Sequence, residues 1–470
     1  MGLFLYFVCQ PLTERSWKCW GRVNITPECS MSQTGFWDDL WLITARQAIC
    51  YVVVEDKVEG NRHRPDMRLS MYFRPRAFLT PPTPVGSLNY PKALKQVTPP
   101  TNQQTMPLNI IIVGAGLIGP RHAQSVLSNP STSLQALIDP APSGATAASN
   151  LKTNYFPSLA ALLQSDLPKP DAAIVCTPNH THVPITKELL EADIHVLVEK
   201  PISSTIETGK SLLEYTQRPD KSHLKLLVGH HRRFNAYVHK TKQILDSGSL
   251  GRIIAVNGLW TLFKPESYFS AGGEWRRSRE SGGGVVPINL VHDIDILHYF
   301  FGPVTRIHAE GTLPQRENPN HDAEEGAALT LRFASGVVGT FLVCDATPSP
   351  HNFEAGTGEN PLVPKVREGS DFYRIFGSNA SLSVPDMTRW SYDGCAQKSW
   401  SEELKVEKIG VEEVTPFDLQ LGHFVDVINK GEKVSCSGED GLRALVVCQA
   451  VRRALETGET VELGVDLSVD

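Results

Sequence analysis

Short apolar runs alternate with helical patterns through the middle of the chain. Residues 110–113 are continuous, β-branched and apolar, which is typical of a strand buried on both faces. Further strands of this kind are predicted at residues 134–138, 172–176, 194–198 and 224–228. Helices are predicted between them at residues 122–127, 158–163 and 183–192, and Ser203 or Ser204 is expected to cap a further helix before the last strand. This alternation predicts an α/β domain built on a parallel sheet.

The pattern changes after residue 236. The apolar runs there alternate with polar residues or are rich in β-branched side chains, and short turns separate them, as in an antiparallel sheet. These strands are predicted at residues 253–263, 306–310, 327–333, 337–344, 372–376 and 381–384. Helices are predicted at residues 237–245 and 288–301 and near residues 416–429 and 438–455.

The first 105 residues show apolar patches but no sustained period. Residues 80–105 are rich in Pro, Thr and Gln, a composition typical of linkers. We therefore expect residues 1–105 to be a disordered tail or linker, and Met106, just before the first buried strand, is a candidate natural start.

Composition narrows the classes of partner. The net charge of −6 gives no basic footprint for nucleic acid, and no run of 18 apolar residues predicts a membrane span. The nine cysteines form no C-x-x-C pair and no zinc-type spacing, so we expect a reduced, cytoplasmic protein.

A glycine-rich turn follows the first buried strand. Gly114, Gly116 and Gly119 have the G-x-G-x-x-G spacing of a dinucleotide-binding turn, and a helix is predicted directly after them. Asp139 ends the second strand twenty positions past the last glycine, where a carboxylate that binds a ribose hydroxyl is expected. No basic residue follows Asp139 closely to receive a 2′-phosphate, which favours NAD over NADP.

Polar residues also follow the third and fourth strands, at the sheet edge where open α/β proteins bind ligands. The third strand ends in a Thr-Pro-Asn-His-Thr-His turn, residues 177–182, and the fourth ends in Glu199-Lys200-Pro201. Pro201 disfavours a helical conformation for Lys200 and so keeps it extended at the strand tip. His180 and His182 are not completed by an acid or a cysteine, so no metal site is expected.

The V-G-A-G-L-I-G, T-P-N-H and E-K-P segments, in this order and spacing, resemble the glucose–fructose oxidoreductase / inositol dehydrogenase / MocA (Gfo/Idh/MocA) family. The resemblance covers residues 106 to the C-terminus. It implies an NAD(P)-binding Rossmann domain at residues 106–229, followed by an α+β domain with an open, mostly antiparallel sheet at residues 230–470. Family members are mostly NAD(P)-dependent oxidoreductases of sugars, cyclitols and related polyols. The sheet commonly forms their subunit interface, so a homodimer or homotetramer is expected.

The resemblance and the residue types together give candidate roles. Lys200 would polarise a substrate hydroxyl, and His292 matches the family's histidine and is suited to acid–base chemistry because the unperturbed histidine pKa lies near neutrality. The family often has an aspartate four residues before that histidine, but this chain has Ile288 there and Asn289 beside it, which makes the carboxylate's part doubtful. On the helix surface Asp295 is a second neighbour of His292.

Further residues complete the predicted sites. Candidate substrate-binding residues are Asn289, Trp275 and Arg232; Arg232 alternatively forms an interdomain salt bridge. In the long loop 347–370, His351 or Glu354 would reach the substrate pocket. Candidate cofactor-binding residues are Gly114, Gly116, Leu117, Ile118, Gly119, Asp139, Thr177, Pro178, Asn179, His182, Glu199 and Lys200.

Three functions fit this pattern. The first is an NAD(P)-dependent dehydrogenase of a polyol or cyclitol. The second is a reaction that uses NAD transiently, as in a glycosidase, and the third is a non-enzymatic NAD-binding regulator. Lys200 and His292 argue against the third, because a pure binder needs neither.

Overall fold

The computed structural model describes residues 106–465 except 271, 367 and 413, together with the backbone of five strands between residues 5 and 53. The chain divides into two units, Met1–Thr101 and Asn102–Asp470. The strands of the first unit form a two-stranded and a three-stranded antiparallel sheet: β1 (Leu5–Thr13), β2 (Ser16–Val23), β3 (Ser30–Gln33), β4 (Leu40–Ala45) and β5 (Ala48–Val53). Most of residues 1–105 lie outside the described residues. Their assignment to a tail or linker therefore stays a prediction.

The second unit begins with a six-stranded parallel sheet in the order β11-β10-β9-β6-β7-β8. Its strands are β6 (Leu108–Val113), β7 (Thr132–Ile138), β8 (Asn154–Phe156), β9 (Ala172–Val175), β10 (His195–Glu199) and β11 (Leu226–Gly229). The strand order reverses between β6 and β9, and such a switch point opens a ligand crevice at the carboxyl ends of the strands.

Helices connect these strands: α1 (Gly119–Ser128), α2 (Pro142–Leu151), α3 (Leu159–Leu163), α4 (His182–Glu191) and α5 (Ile206–Thr216). The predicted strands and helices are present with ends shifted by at most three residues, and α2 and β8 are additional. Thr205 caps α5, because its side chain accepts a hydrogen bond from the N–H of Thr208. The expectation that Ser203 or Ser204 caps this helix is therefore wrong.

The second half of the unit is built on a nine-stranded sheet in the order β19-β18-β17-β16-β12-β15-β14-β13-β20. Its strands are β12 (Ile253–Thr261), β13 (Val304–Gly311), β14 (Gly326–Phe333), β15 (Val338–Cys344), β16 (Tyr373–Gly377), β17 (Ala380–Val384), β18 (Thr388–Ser391), β19 (Lys405–Lys408) and β20 (Val461–Glu462). The pairings are antiparallel except that of β12 with β15, which is parallel. The parallel pair brings the carboxyl ends of β12 and β15 to the same edge.

Five helices belong to this half: α6 (Ala236–Asp246), α7 (Val291–Phe301), α8 (Phe353–Thr357), α9 (Pro416–Lys430) and α10 (Gly438–Thr457). The predicted helix at 288–301 is wrong in its first turn, because one turn of π-helix, Val286–Leu290, precedes α7. There the N–H of Val291 bonds the carbonyl of Val286, and Pro287 has no N–H to donate. Among the described residues, no helix has the length and apolarity needed to cross a membrane.

Candidate active site

The glycine turn between β6 and α1 has the geometry that a pyrophosphate requires. Gly114 has a φ of +103°, and a Cβ on Gly119 would overlap the carbonyl oxygen of Gly114, so both positions need glycine. A Cβ on Gly116 would meet no atom within 4 Å, so its backbone faces open space. Leu117 is 98% exposed and Ile118 caps α1, whose free N–H groups attract anions.

Asp139 lies beside this turn at the carboxyl end of β7. One carboxylate oxygen accepts the N–H of Ala115 at 2.6 Å, and the other accepts the N–H of Ala141 at 2.8 Å. Because each carboxylate oxygen has two lone pairs, both retain capacity for a ribose hydroxyl. The turn and Asp139 therefore fit the adenosine and pyrophosphate half of a dinucleotide.

Thr177, Pro178 and Asn179 follow β9, at the same edge of the sheet. His182 is buried, and its two ring nitrogens lie 2.8 Å from the carbonyl oxygen of Thr177 and 2.7 Å from that of Pro201. Burial lowers the pKa of His182, while the two carbonyl groups oppose the shift. His182 thus joins the two loops that follow β9 and β10.

Glu199 is buried at the end of β10, and its carboxylate lies 2.7 Å from Nε2 of His122 on α1. Burial acts to raise the pKa of Glu199, but the hydrogen bond and charge of His122 outweigh it and bring the pKa to about 2. The carboxylate therefore stays ionised and anchors the dinucleotide helix to the strand that carries Lys200.

Lys200 stands at the tip of β10 with its ammonium group unengaged: no hydrogen bond or ion pair joins it to any described residue. Burial lowers its pKa to about 8, the charge of Glu199 opposes this shift, and the charge of Arg232 adds to it. A lysine of this kind exchanges its proton close to neutral pH.

His292 is buried on the first turn of α7, and neither ring nitrogen bonds a described residue. Its ring packs edge-on against those of His230 and His231, with centroids 6.3 Å and 5.8 Å away. Burial, followed by the charges of Lys200 and Arg232, holds the pKa of His292 well below 6.5. The expected near-neutral pKa is therefore wrong, and the ring is uncharged at neutral pH.

Asp295 forms an ion pair with Arg233 and does not bond His292. Its carboxylate accepts hydrogen bonds from Nε of Arg233 at 2.9 and 3.1 Å and from Nη2 at 2.7 Å, and both side chains are buried. Burial acts to raise the pKa of Asp295, but the charge of Arg233 lowers it below the usual range. This ion pair fixes α7 against the segment 230–234, which enters the second half of the unit.

Asn289 is held by a lysine that the sequence did not single out. Nζ of Lys264 lies 2.6 Å from Oδ1 of Asn289 and 3.3 Å from Oδ2 of Asp345, and all three residues are buried. Arg316 binds the other oxygen of Asp345 at 2.7 Å. Lys264 and Asp345 follow β12 and β15, and the parallel pairing of these strands brings them together.

Arg232 forms salt bridges within the second domain, not the interdomain salt bridge that was weighed against substrate binding. Its Nη2 bonds Glu354, its Nε lies 3.6 Å from Glu359, and its guanidinium group lies 4.3 Å from the centre of the Phe353 ring. Nη1 and Nε are buried without a hydrogen-bond partner among the described residues. Glu354 therefore orients Arg232 and does not stand free in the pocket.

Two family models match the chain. A model of an oxidoreductase family's NAD-binding Rossmann fold, GFO_IDH_MocA, matches residues 108–230, and the model of that family's C-terminal alpha/beta domain matches residues 242–463. The chain belongs to the Gfo/Idh/MocA oxidoreductase family. This confirms the predicted family, the predicted two-part fold and the NAD-binding character of the first part.

Relatives in the family include sugar and cyclitol enzymes. The inositol 2-dehydrogenase of Rhizobium meliloti is 22% identical over 73% of this chain and 96% of its own length. The 1,5-anhydro-D-fructose reductase of Ensifer adhaerens is 27% identical over 63% of this chain and 80% of its own length. The scyllo-inositol dehydrogenase of Lactobacillus casei, solved with NAD(H) and scyllo-inositol, shares the fold with a TM-score of 0.58, 22% identity and coverage of 76% of this chain and 99% of its own.

The position of the family's aspartate is occupied by Ile288 in this chain, and its side chain lines a groove. Ile288 and Val291 line a groove of about 740 Å³, together with Lys200 and Trp275. Trp275 is 42% exposed there, so its ring is accessible to a ligand. Asn289 lies on a neighbouring face of the same helical segment and bonds Lys264 instead.

His351 contacts Asp371 and forms no hydrogen bond with Lys200 or His292. Its Nδ1 is 2.9 Å from the carbonyl oxygen of Asp371, within the loop that leads to β16. Arg232 and Lys264 lie close enough to Lys200 for their charges to lower its pKa, Arg232 acts on His292 in the same way, and Asn289 bonds Lys264. We call these five residues the polar compartment.

Proposed function

We propose that the protein is an NAD(P)-dependent oxidoreductase that transfers a hydride between nicotinamide and a hydroxyl or ketone of a sugar, cyclitol or similar polyol. The observation that carries the proposal is Lys200: it stands at the ligand edge of the dinucleotide sheet, has no partner among the described residues and has a pKa of about 8. The family's enzymes and the fit of the glycine turn to a dinucleotide support it.

The nicotinamide, when bound, supplies the hydride acceptor or donor. Lys200 handles the proton, because its pKa lies near the working pH, where general acid–base catalysis is most efficient. As a neutral amine it takes the proton of the substrate hydroxyl during oxidation, and as an ammonium group it returns the proton during reduction. His292, uncharged, hydrogen-bonds and orients the same hydroxyl.

Asp139 supports a preference for NAD. Its carboxylate would repel a 2′-phosphate, while both oxygens can accept from a ribose diol. Fluorescence titration should give tighter binding of NADH than of NADPH, and equal affinities would remove this preference.

The test of the activity is a screen of sugars, inositols and polyhydroxy acids with NAD and NADP, read at the NADH absorbance. Net formation of NADH supports a dehydrogenase. Product formation without net NADH points to transient use of the cofactor, and NADH binding without turnover of any compound points to a regulator.

The oligomer expected for the family would use the outer face of the nine-stranded sheet. In the described part of the second unit, Val338, Leu342 and Phe376 are 42%, 36% and 42% exposed on this face. Ala255 lies between Val338 and Phe376 in register, so the apolar positions are contiguous across three strands. Phe376→Glu should reduce the mass measured by sedimentation if this face joins two copies.

The small-molecule substrate and the cytoplasmic location remain expectations of this proposal. The five cysteines in residues 106–465 are unpaired, as in a reducing compartment: Cys176, Cys344, Cys395, Cys436 and Cys448.

A further inference from the structure

Lys264 fixes the orientation of the Asn289 side-chain amide. A lysine ammonium group can only donate hydrogen bonds, so the atom that it contacts at 2.6 Å is the carbonyl oxygen of the amide. The amide nitrogen, Nδ2, is then turned away from Lys264, and it makes no hydrogen bond with a described residue. Asn289 therefore keeps an unpaired donor, its Nδ2 group.

The carboxylates around the polar compartment are already occupied. Glu354 accepts from Arg232 with one oxygen and from Nε1 of Trp260 at 2.8 Å with the other. Asp345 accepts from Lys264 and from Arg316. Each of these oxygens already contacts a protein donor, and both residues are buried, whereas Asp139 is partly exposed. Neither Glu354 nor Asp345 is therefore positioned as the main acceptor for a substrate hydroxyl.

Both oxygens of Glu359 are committed in the same way, but only one oxygen of Asp293 is. Glu359 accepts from His231 at 2.9 Å and from Asn235 at 3.0 Å. One oxygen of Asp293 accepts from the hydroxyl of Tyr373, and its second oxygen is unpartnered but fully buried. These four acids therefore offer few acceptor oxygens to a substrate hydroxyl.

The groups left without a partner are mostly donors. Nζ of Lys200 and Nδ2 of Asn289 make no hydrogen bond with a described residue, Nε and Nη1 of Arg232 are buried without one, and Nδ1 of His292 can either donate or accept. Against these stands one unpartnered acceptor of the acids named above, Oδ2 of Asp293. A neutral polyol brings a donor with every hydroxyl and needs acceptors for them. A carboxylate brings acceptors only, and its hydrogen bonds to charged donors are about twice as strong as neutral ones.

We propose, resting on the oxidoreductase function above, that the substrate is a polyhydroxy acid, such as a sugar acid or a cyclic hydroxy acid. Its carboxylate contacts Asn289 and the cations Arg232 and Lys264, and the reacting hydroxyl lies against Lys200 and His292. The chain thus replaces the family's acceptor, lost at Ile288, with a donor that Lys264 holds in place.

The first test compares D-glucuronate with D-glucose, two sugars that differ at one carbon. Their affinities are measured on the enzyme–NADH complex by fluorescence, independently of turnover, and kcat/KM is measured with NAD where either reacts. Glucuronate should bind about ten-fold or more tightly, the gain of one charge-assisted hydrogen bond. Equal binding, or tighter binding of glucose, would overturn the proposal.

Two variants locate the effect. Asn289→Asp keeps the shape but replaces the donor with a carboxylate, so it should weaken glucuronate binding about ten-fold or more and leave glucose binding little changed. Lys264→Met frees the amide to rotate and should reduce the same preference. Lys430→Met, at an exposed helix end, is the matched control and should keep the wild-type ratio. An unchanged ratio in both site variants would contradict the proposal.

The two proposals fail in different ways. If glucuronate binds preferentially to the NADH complex but no compound is oxidised or reduced, the oxidoreductase function fails and the donor-rich site stands. If neutral polyols turn over and acids neither bind nor react, the oxidoreductase function stands and the acid preference is refuted.

Discussion

The two ends of the site are built in different ways. The glycine turn consists of backbone: Gly114 and Gly119 are required by local geometry, and Gly116 leaves space for a phosphate. The polar compartment consists of side chains from separate segments, held by buried ion pairs such as Arg233–Asp295 and Lys264–Asp345. Substitutions in the turn should therefore act mainly on the cofactor, and those in the compartment on chemistry, selectivity or folding.

The largest effect is expected at Lys200. Lys200→Met keeps the chain length but removes the exchangeable proton, and loss of a general acid–base typically lowers the rate by about 10²–10⁴-fold. The fall should appear in kcat/KM, while NADH affinity measured by fluorescence stays near that of the wild type. A variant with near-normal turnover would show that Lys200 does not carry the proton.

A large loss of stability is expected when the buried ion pair behind α7 is broken. Asp295→Asn removes the buried charge partner of Arg233 and leaves only the partly exposed Asp440, 3.5 Å away; breaking a buried ion pair typically costs about 3–5 kcal/mol. The matched control is Asp426→Asn, which breaks the exposed pair with Lys430 and should cost about 0.3–0.5 kcal/mol. Urea unfolding measures both, and equal losses would contradict the structural role of Asp295.

The smallest effect is expected in the glycine turn. Gly119→Ala forces a Cβ against the carbonyl of Gly114 and should lower the free energy of unfolding by about 1–3 kcal/mol. Gly116→Ala has open space and should change it by less than about 0.5 kcal/mol, while weakening NADH binding. Thermal unfolding with and without NADH separates the two. Equal destabilisation of the apoprotein by both substitutions would show that the turn is packed differently.

The same contrast explains what the sequence could predict. The buried strands, the turn and Asp139 are local in sequence, so their period and spacing identified them. The strand Thr388–Ser391 and the edge strand Lys405–Lys408 were missed because they have little apolar pattern and depend on pairing with their neighbours. Helix α2 was missed because Pro140, Pro142 and Gly144 suggest a turn, although proline is favoured at the first helical position.

In the site, Lys200 and His292 were predicted as catalytic residues from sequence motifs alone, without knowledge of their surroundings in the fold. The hydrogen bond of Lys264 to Asn289 could not be predicted from the sequence. It depends on the parallel pairing of β12 with β15 within an otherwise antiparallel sheet. The lowered pKa of His292 was also missed, since it follows from burial beside Lys200 and Arg232, which no spacing encodes.

The pH dependence of kcat/KM for substrate oxidation tests the role of Lys200 most directly. Oxidation needs the neutral amine, so the rate should rise with pH and level off above a pKa of about 8; reduction needs the ammonium form and should fall through the same pKa. Lys200→Arg should remove this inflection, and no inflection near pH 6.5 is expected because the pKa of His292 lies well below that value. An inflection near pH 6.5 that persists in Lys200→Arg and disappears in His292→Asn would assign the proton to His292 and contradict the role given to Lys200.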